Sequence, residues 1–398
     1  TCALPIYKYH VTLKTYFDTT SKSEDAYNEA ITAFNNALLS SDVPDIIALE
    51  GIRNVGALAN KGEFEDLGKY LDKSSTIKKD DIFENILASS TYDGKLVSIP
   101  KSFQIMTLAG KTSNVGNKRG WTIDDMTALA DKNPDSQIFN YVTKETMMYY
   151  LVLFNMEDYI DPDTGECHFN TPEFKKILEL SNRFPAEANY DSDVNEQEML
   201  ATGKTLLEPA DISEFNQIQV YEAEFGEPVT YVGFPTADGK PGSVLMGDSG
   251  FAIASKSKVK DGAWEFIEEY LNQESDWYSY GFSSFKSKFD KAMEEATKVE
   301  YLKDENGEFM LDENGEKIVA NTGGGIGFNG WTYEYRICTK EEAQLVKEIA
   351  EESSMLLSID DEMLNIMSEE AAPFFNGQKS ADEVADIIQS RINLYINE

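Results

Sequence analysis

The chain has 398 residues, enough for two domains of ordinary size. Lys and Arg number 35 against 71 Asp and Glu, a net charge of −36, which excludes a general nucleic-acid binder because that affinity comes from cationic groups. The same imbalance argues against a basic membrane-surface protein, and an apolar content of 41% excludes wholesale disorder.

Three cysteines, Cys2, Cys167 and Cys338, form no close pair, so neither a zinc site nor a disulfide framework is expected. Cys167 and Cys338 read as free and structural. No run of 18 apolar residues is present, so no membrane-spanning helix is expected. The first residues lack the basic start and apolar core of a signal peptide.

In chain order, Val11, Leu13 and Tyr16 alternate with polar residues, as a strand would. A helix follows with Ala26, Ala30, Phe34 and Leu38 along one side. The continuous apolar run 43–49 then reads as a strand buried on both faces. Strand, helix, strand is a βαβ unit and predicts a parallel sheet. Residues 54–69 and 79–89 read as helices. Tyr92-Asp93-Gly94-Lys95 reads as a turn before a strand at 96–99. A longer strand is expected at 103–110.

Thr122 and Asp125 have capping-box spacing. Thr171-Pro172 predicts a helix with Pro at its first position. Residues 203–207 read as a short strand leading to a loop at 208–213. A strand near Val229, a Pro/Gly loop at 235–242, a strand at 251–254 and a helix capped by Asp261 come next. D-E-N-G occurs twice within 303–317 and reads as a solvated hairpin, since its glycine is misplaced for an EF-hand loop. Gly-rich 321–330 lacks the register of a nucleotide site. The C-terminal stretch is helical, with Ser380 and Glu383 as a second capping box.

The catalytic inventory is thin. His10 and His168 are the only histidines, and neither sits in a triad-like arrangement. No His/Cys metal cluster is present, and neither metal nor cofactor is expected. Acidic pairs are too abundant to point to glycoside cleavage. The chain reads as a binder and not as an enzyme.

Several passages resemble one family. YVGFPTADGKPGSVLMGDSGFAIASKSKVKDGAWEFIEEYLN, beginning at Tyr231, is similar to the passage that returns the chain between lobes in family 1 extracellular solute-binding proteins. PDIIAL at Pro44, DGKLVSIP at Asp93, GWTIDD at Gly120, CHFNTPEFKKIL at Cys167 and GQKSADEVADIIQSRINLYINE at Gly377 resemble the same family. These proteins are the sugar-capturing partners of ABC importers. The resemblance implies an α/β fold of the class II periplasmic-binding-protein type, with two mostly parallel sheets flanked by helices and a hinged cleft between lobes.

It further implies lobe one from 1–109 and 252–322, and lobe two from 110–251 and 323–398. Measured against the family, the sequence reads as lacking a leader, a lipid-anchoring Cys and one strand–helix unit. The intact protein would be an extracellular, cell-surface lipoprotein and a monomer, with an ABC permease as partner. A carbohydrate, an oligosaccharide foremost, is the expected ligand. A peptide, a polyamine or an extracellular carbohydrate-active enzyme are the rival readings.

A sugar offers in-plane hydroxyls and apolar ring faces, which call for polar side chains and aromatics. Matching the family's contact regions gives Tyr16, Asp18, Glu50, Arg53, Phe103, Gln104, Asp211, Asp248, Trp331 and Tyr333 as ligand-binding candidates. Asp211 falls where the family often carries an aromatic. Trp331 is the leading candidate. Trp121, Trp264 and Trp277 are expected to serve packing.

Overall fold

The computed structural model describes residues 10–16, 24–40, 43–50, 52, 55–161, 164–188, 195–273, 281–320, 325–328, 331–356 and 361–397. Its strands, in order, are β1 (Ile46–Ala48), β2 (Thr91–Tyr92), β3 (Lys95–Leu96), β4 (Ser102–Lys111), β5 (Leu207–Ile212) and β6 (Val229–Tyr231). They continue with β7 (Val244–Gly247), β8 (Phe251–Ile253), β9 (Phe282–Ser283), β10 (Gly325–Phe328), β11 (Trp331–Glu334) and β12 (Ser354–Leu356).

The ten-residue β4 organises the largest sheet, ordered β12-β7-β4-β5, with β6 and β9 also paired to β4. Every partner of β4 runs antiparallel to it. The one parallel ladder among the described strands joins β12 to β7. The mixed α/β architecture is as expected, whereas the parallel sheet drawn from the first βαβ unit is not. β1 instead pairs antiparallel with β8. Residues 10–16 form no strand, and Leu13 is 88% exposed. A strand needs a ladder partner, and alternation alone supplies none. β1 is buried on one side and not, as its apolar run suggested, on both: Ile47 and Leu49 pack with Phe34 and Leu38 of the Glu24–Leu39 helix, while Ala48 is exposed.

Local chemistry sets the helix starts. Thr122 and Asp125 form the capping box of the Ile123–Lys132 helix, and Thr171 caps a helix with Pro172 at its first position. Ser380 and Glu383 bond reciprocally before the Ala381–Asn397 helix. Asp261 is not the cap of its helix, which begins at Lys260; it lies in the first turn, where a carboxylate favours the dipole. The helix expected at 54–69 stops at Asn60, because Phe64 is drawn into a bridge with Ala254.

The D-E-N-G insertion is not a single hairpin. Three passes of chain meet in a ring of backbone bonds: Leu302 N–H to Ile318, Ile318 N–H to Met310, and Met310 N–H to Leu302, each 2.9 Å. Two turns, not one, connect them.

Four apolar cores follow the topology. Two draw on residues 34–99 and 251–285. The largest draws on 108–244 and 363–392. The fourth joins one face of β4, β5 and β7 to the Lys340–Glu352 helix. Trp121 and Trp264 are buried packing residues, as expected, while Trp277 lies outside the described residues. Cys167 and Cys338 are free and buried.

Candidate functional site

Strand alternation divides the central sheet into two unlike faces. Phe103, Ile105 and Ala109 of β4 share one face with Ala210, Ile212 and Leu245, and all are buried in the fourth core. Gln104, Met106 and Leu108 point the other way. Leu108 is fully buried in the largest core, but Gln104 and Met106 are only half-buried. Register brings Asp211 opposite Met106 and Met246 opposite Gln104. Gln104, Asp211, Met106 and Met246 therefore form a half-buried patch of two polar and two polarisable thioether side chains.

Asp211 is the most exceptional of these. Its Oδ1 is buried with no hydrogen-bond partner among the described residues, and burial raises its pKa with no cation among them offsetting it. A buried carboxylate oxygen without a donor is costly, and a donor arriving from outside would relieve that cost. The Asp211 backbone, by contrast, is held. The Tyr221 hydroxyl accepts from its N–H at 2.9 Å and donates to its carbonyl at 3.1 Å.

Asp211 was expected in a loop and sits in β5. The Glu-Pro-Ala-Asp stretch reads as irregular, yet β5 is an edge strand, where the missing N–H of Pro209 is tolerated.

The β10–β11 hairpin is tied to the Gln217–Phe225 helix by Gln219. This side chain, 1% exposed, donates from Nε2 to the Arg336 carbonyl and accepts the Arg336 N–H at Oε1, both at 3.1 Å. Its Oε1 also lies 3.5 Å from the Tyr333 hydroxyl. Arg336 is fixed in turn by Glu342. Gln219 and Tyr221 belong to the Gln217–Phe225 helix, which begins directly beyond β5.

Two segments cross at the near end of the sheet. The Asp248 carboxylate accepts the backbone N–H groups of Lys101 and Ser102 at 3.1 Å. Burial raises its pKa, with these bonds opposing. Gly247 and Gly250 permit the approach: a Cβ would lie 2.1 Å from the Ser102 carbonyl oxygen at the first, and 2.9 Å from that of Ile99 at the second.

The remaining candidates are placed as follows. Phe103 is fully buried among Phe83, Phe282 and Phe289, on the face opposite Gln104. Tyr16 packs edge-on against Phe34, and its hydroxyl is buried with no partner among the described residues. Glu50 is exposed in a turn after β1. Asp18 and Arg53 lie outside the described residues, as does the side chain of Trp331. The backbone of Trp331 opposes Phe328 at the start of β11.

Sequence reading missed Met106, Met246, Gln219 and Tyr221. The alternation Gln104-Ile105-Met106 carries a signal for Met106; the other three are recognised only by register and reach. An open depression lined by Lys79, Glu84, Leu87 and Thr91 shares no residue with this face. Among the described residues no group of three or more His, Cys, Asp or Glu could hold a metal ion, and no helix is long and apolar enough to cross a membrane.

The profile of the bacterial extracellular solute-binding protein family matches residues 16–286, and the chain belongs to that family. No curated protein matches it.

Solved structures similar in fold span nearly the whole chain. The sugar-binding protein MalE of Xanthomonas citri has a TM-score of 0.54 at 13% identity, covering 93% of this chain and 88% of its own. A solute-binding protein of Thermotoga lettingae bound with α-D-tagatose has 0.50 at 16%, covering 93% and 90%. The cyclic α-maltosyl-1,6-maltose binding protein of Arthrobacter globiformis has 0.50 at 15%, covering 93% and 89%.

Proposed function

We propose that this protein captures a carbohydrate, an oligosaccharide foremost, outside the cell and delivers it unaltered to the permease of an ABC importer. The observation that carries the reading is Asp211, whose buried Oδ1 has no partner on a half-buried face with Gln104. A sugar hydroxyl supplies the donor the carboxylate lacks, and Gln104 can both donate and accept. Met106 and Met246 offer soft apolar contact to ring C–H groups. Trp331 and Tyr333, on the hairpin held by Gln219, are the aromatic contacts in this proposal. The family membership and the sugar-binding neighbours support it.

Two lobes, 1–109 with 252–322 and 110–251 with 323–398, would close on the solute by bending where Asp248 ties the two crossing segments. The protein would act as a monomer, tethered to the cell surface by a lipid anchor.

Calorimetric titration with a panel of oligosaccharides, peptides and polyamines tests this. Saturable sugar binding with recovery of unaltered ligand supports the reading. Peptide or polyamine binding alone, or release of cleaved sugar, overturns it.

A further inference from the structure

The contact between the Gln217–Phe225 helix and β5 carries two features in succession. At one level the Tyr221 hydroxyl reaches the edge of β5 and bonds both backbone groups of Asp211. One helical turn further along the helix stands Glu224, and three residues back along the strand stands Glu208, within reach of the Glu224 charge. Glu224 is 4% exposed, and the Oε2 of Glu208 is buried with no hydrogen-bond partner among the described residues.

Among the described residues no cation compensates this pair. From the Glu196–Thr202 helix comes another carboxylate, Glu196, together with Gln197, whose Oε1 is also buried and unpartnered. From the Gln217–Phe225 helix come Tyr221 and Glu222, the latter interacting with Arg336 and Glu342. The Tyr231 hydroxyl of β6 donates to the Ile218 carbonyl. On β4, Lys111 at the strand end is engaged by the Ala201 carbonyl at 2.8 Å and by Glu227 at 3.6 Å. Two buried carboxylates without a counter-charge cannot both ionise without cost.

We propose that this seam is a proton-controlled hold on Asp211. With a proton on either carboxyl the helix is seated on β5 and Tyr221 grips the strand. With both ionised, their repulsion lifts the helix and slackens that grip. The consequence for solute capture rests on the functional reading of Asp211 given above.

Burial, with Glu224 and Glu196 adding to it, pushes Glu208 up to about 8. Burial, with Glu196 adding, pushes Glu224 up to about 7. Raised values mean that the seated form is fully present below the ordinary carboxyl range and is lost as pH rises through these folded values.

The test is amide exchange of the full chain followed by NMR, corrected for intrinsic rates, between pH 6 and 9. The Asp211 amide, which donates to Tyr221, should lose protection by about tenfold or more as the pH rises, equivalent to one pKa unit of differential interaction. In E208Q/E224Q the loss should vanish, while the Met126 amide in a distant helix behaves alike in both proteins. The single variant E224Q serves if the double variant does not fold. An Asp211 amide whose protection is flat with pH, or falls equally in the variants, overturns the proposal. Sugar titration of the same samples separates the two ideas: absent binding with the exchange effect intact defeats the functional reading alone, and a flat exchange profile in a sugar-binding protein defeats this proposal alone.

Discussion

The hydroxyl of Tyr221 closes the outer edge of β5 at Asp211, taking up both backbone groups that the sheet leaves unpaired there. An edge strand presents unpaired N–H and carbonyl groups, and those out of reach of water need partners. Tyr221→Phe should therefore destabilise the protein by about 1–2 kcal/mol, the cost of leaving such groups unsatisfied. Urea denaturation monitored by circular dichroism measures it; an unchanged midpoint would show that solvent serves Asp211 equally well.

Asp211 itself should matter little to folding and much to binding. Its Oδ1 is already without a partner, so Asp211→Asn removes an uncompensated buried charge. The variant should be at least as stable as the parent and bind the solute at least tenfold more weakly, in line with about 1.5–3 kcal/mol for a hydrogen bond to a charged group. Thermal unfolding and calorimetric titration, run side by side, give the two readouts. Lost stability with intact binding would make the residue structural.

The crossing of the two segments depends on a missing side chain. Gly250 has a φ of 70°, and a Cβ there would press on the Ile99 carbonyl oxygen. Gly250→Ala should cost about 1–3 kcal/mol through strain and displacement of the crossing. The expected result is a lower unfolding midpoint; a neutral substitution would mean that the backbone can shift there freely.

The acid side of the pH profile has its own source. Lys260, at 2.6 Å, holds the Glu65 carboxyl below its ordinary value, against the opposing effect of burial, and Lys69 adds to the hold. A lowered carboxyl contributes stability above its ordinary value near 4.5, and that contribution is lost as pH falls through the folded value. Glu65→Gln should cost about 0.5–1 kcal/mol at pH 7 and nothing near pH 2. Urea midpoints at the two pH values decide it, a constant difference being the contrary outcome.

Short-range chemistry was legible without coordinates. The boxes Thr122–Asp125 and Ser380–Glu383 stand where their spacing put them, and β4 occupies the stretch expected of it. Each depends on residues a few positions apart, whose geometry the backbone fixes locally. Val11 and Leu13 show the limit of that logic. Their alternation suits a strand, but no strand forms without a neighbour to bond it. Asp211 shows the reverse, since β5 forms through a Pro-containing stretch because β4 pairs along all of it.

The amino-acid sequence alone therefore determined the Thr122 and Ser380 capping boxes, the apolar runs that become cores, the stretch that β4 occupies and the family to which its phrases correspond. Only the tertiary structure decided that Gln104, Asp211, Met106 and Met246 share one face, that Gln219 moors the Tyr333 hairpin, and that Glu208 lies within reach of the Glu224 charge. Register between strands and the docking of a helix on a sheet join residues remote in sequence. Such contacts depend on the summed burial of the whole chain, which no short window of residues contains.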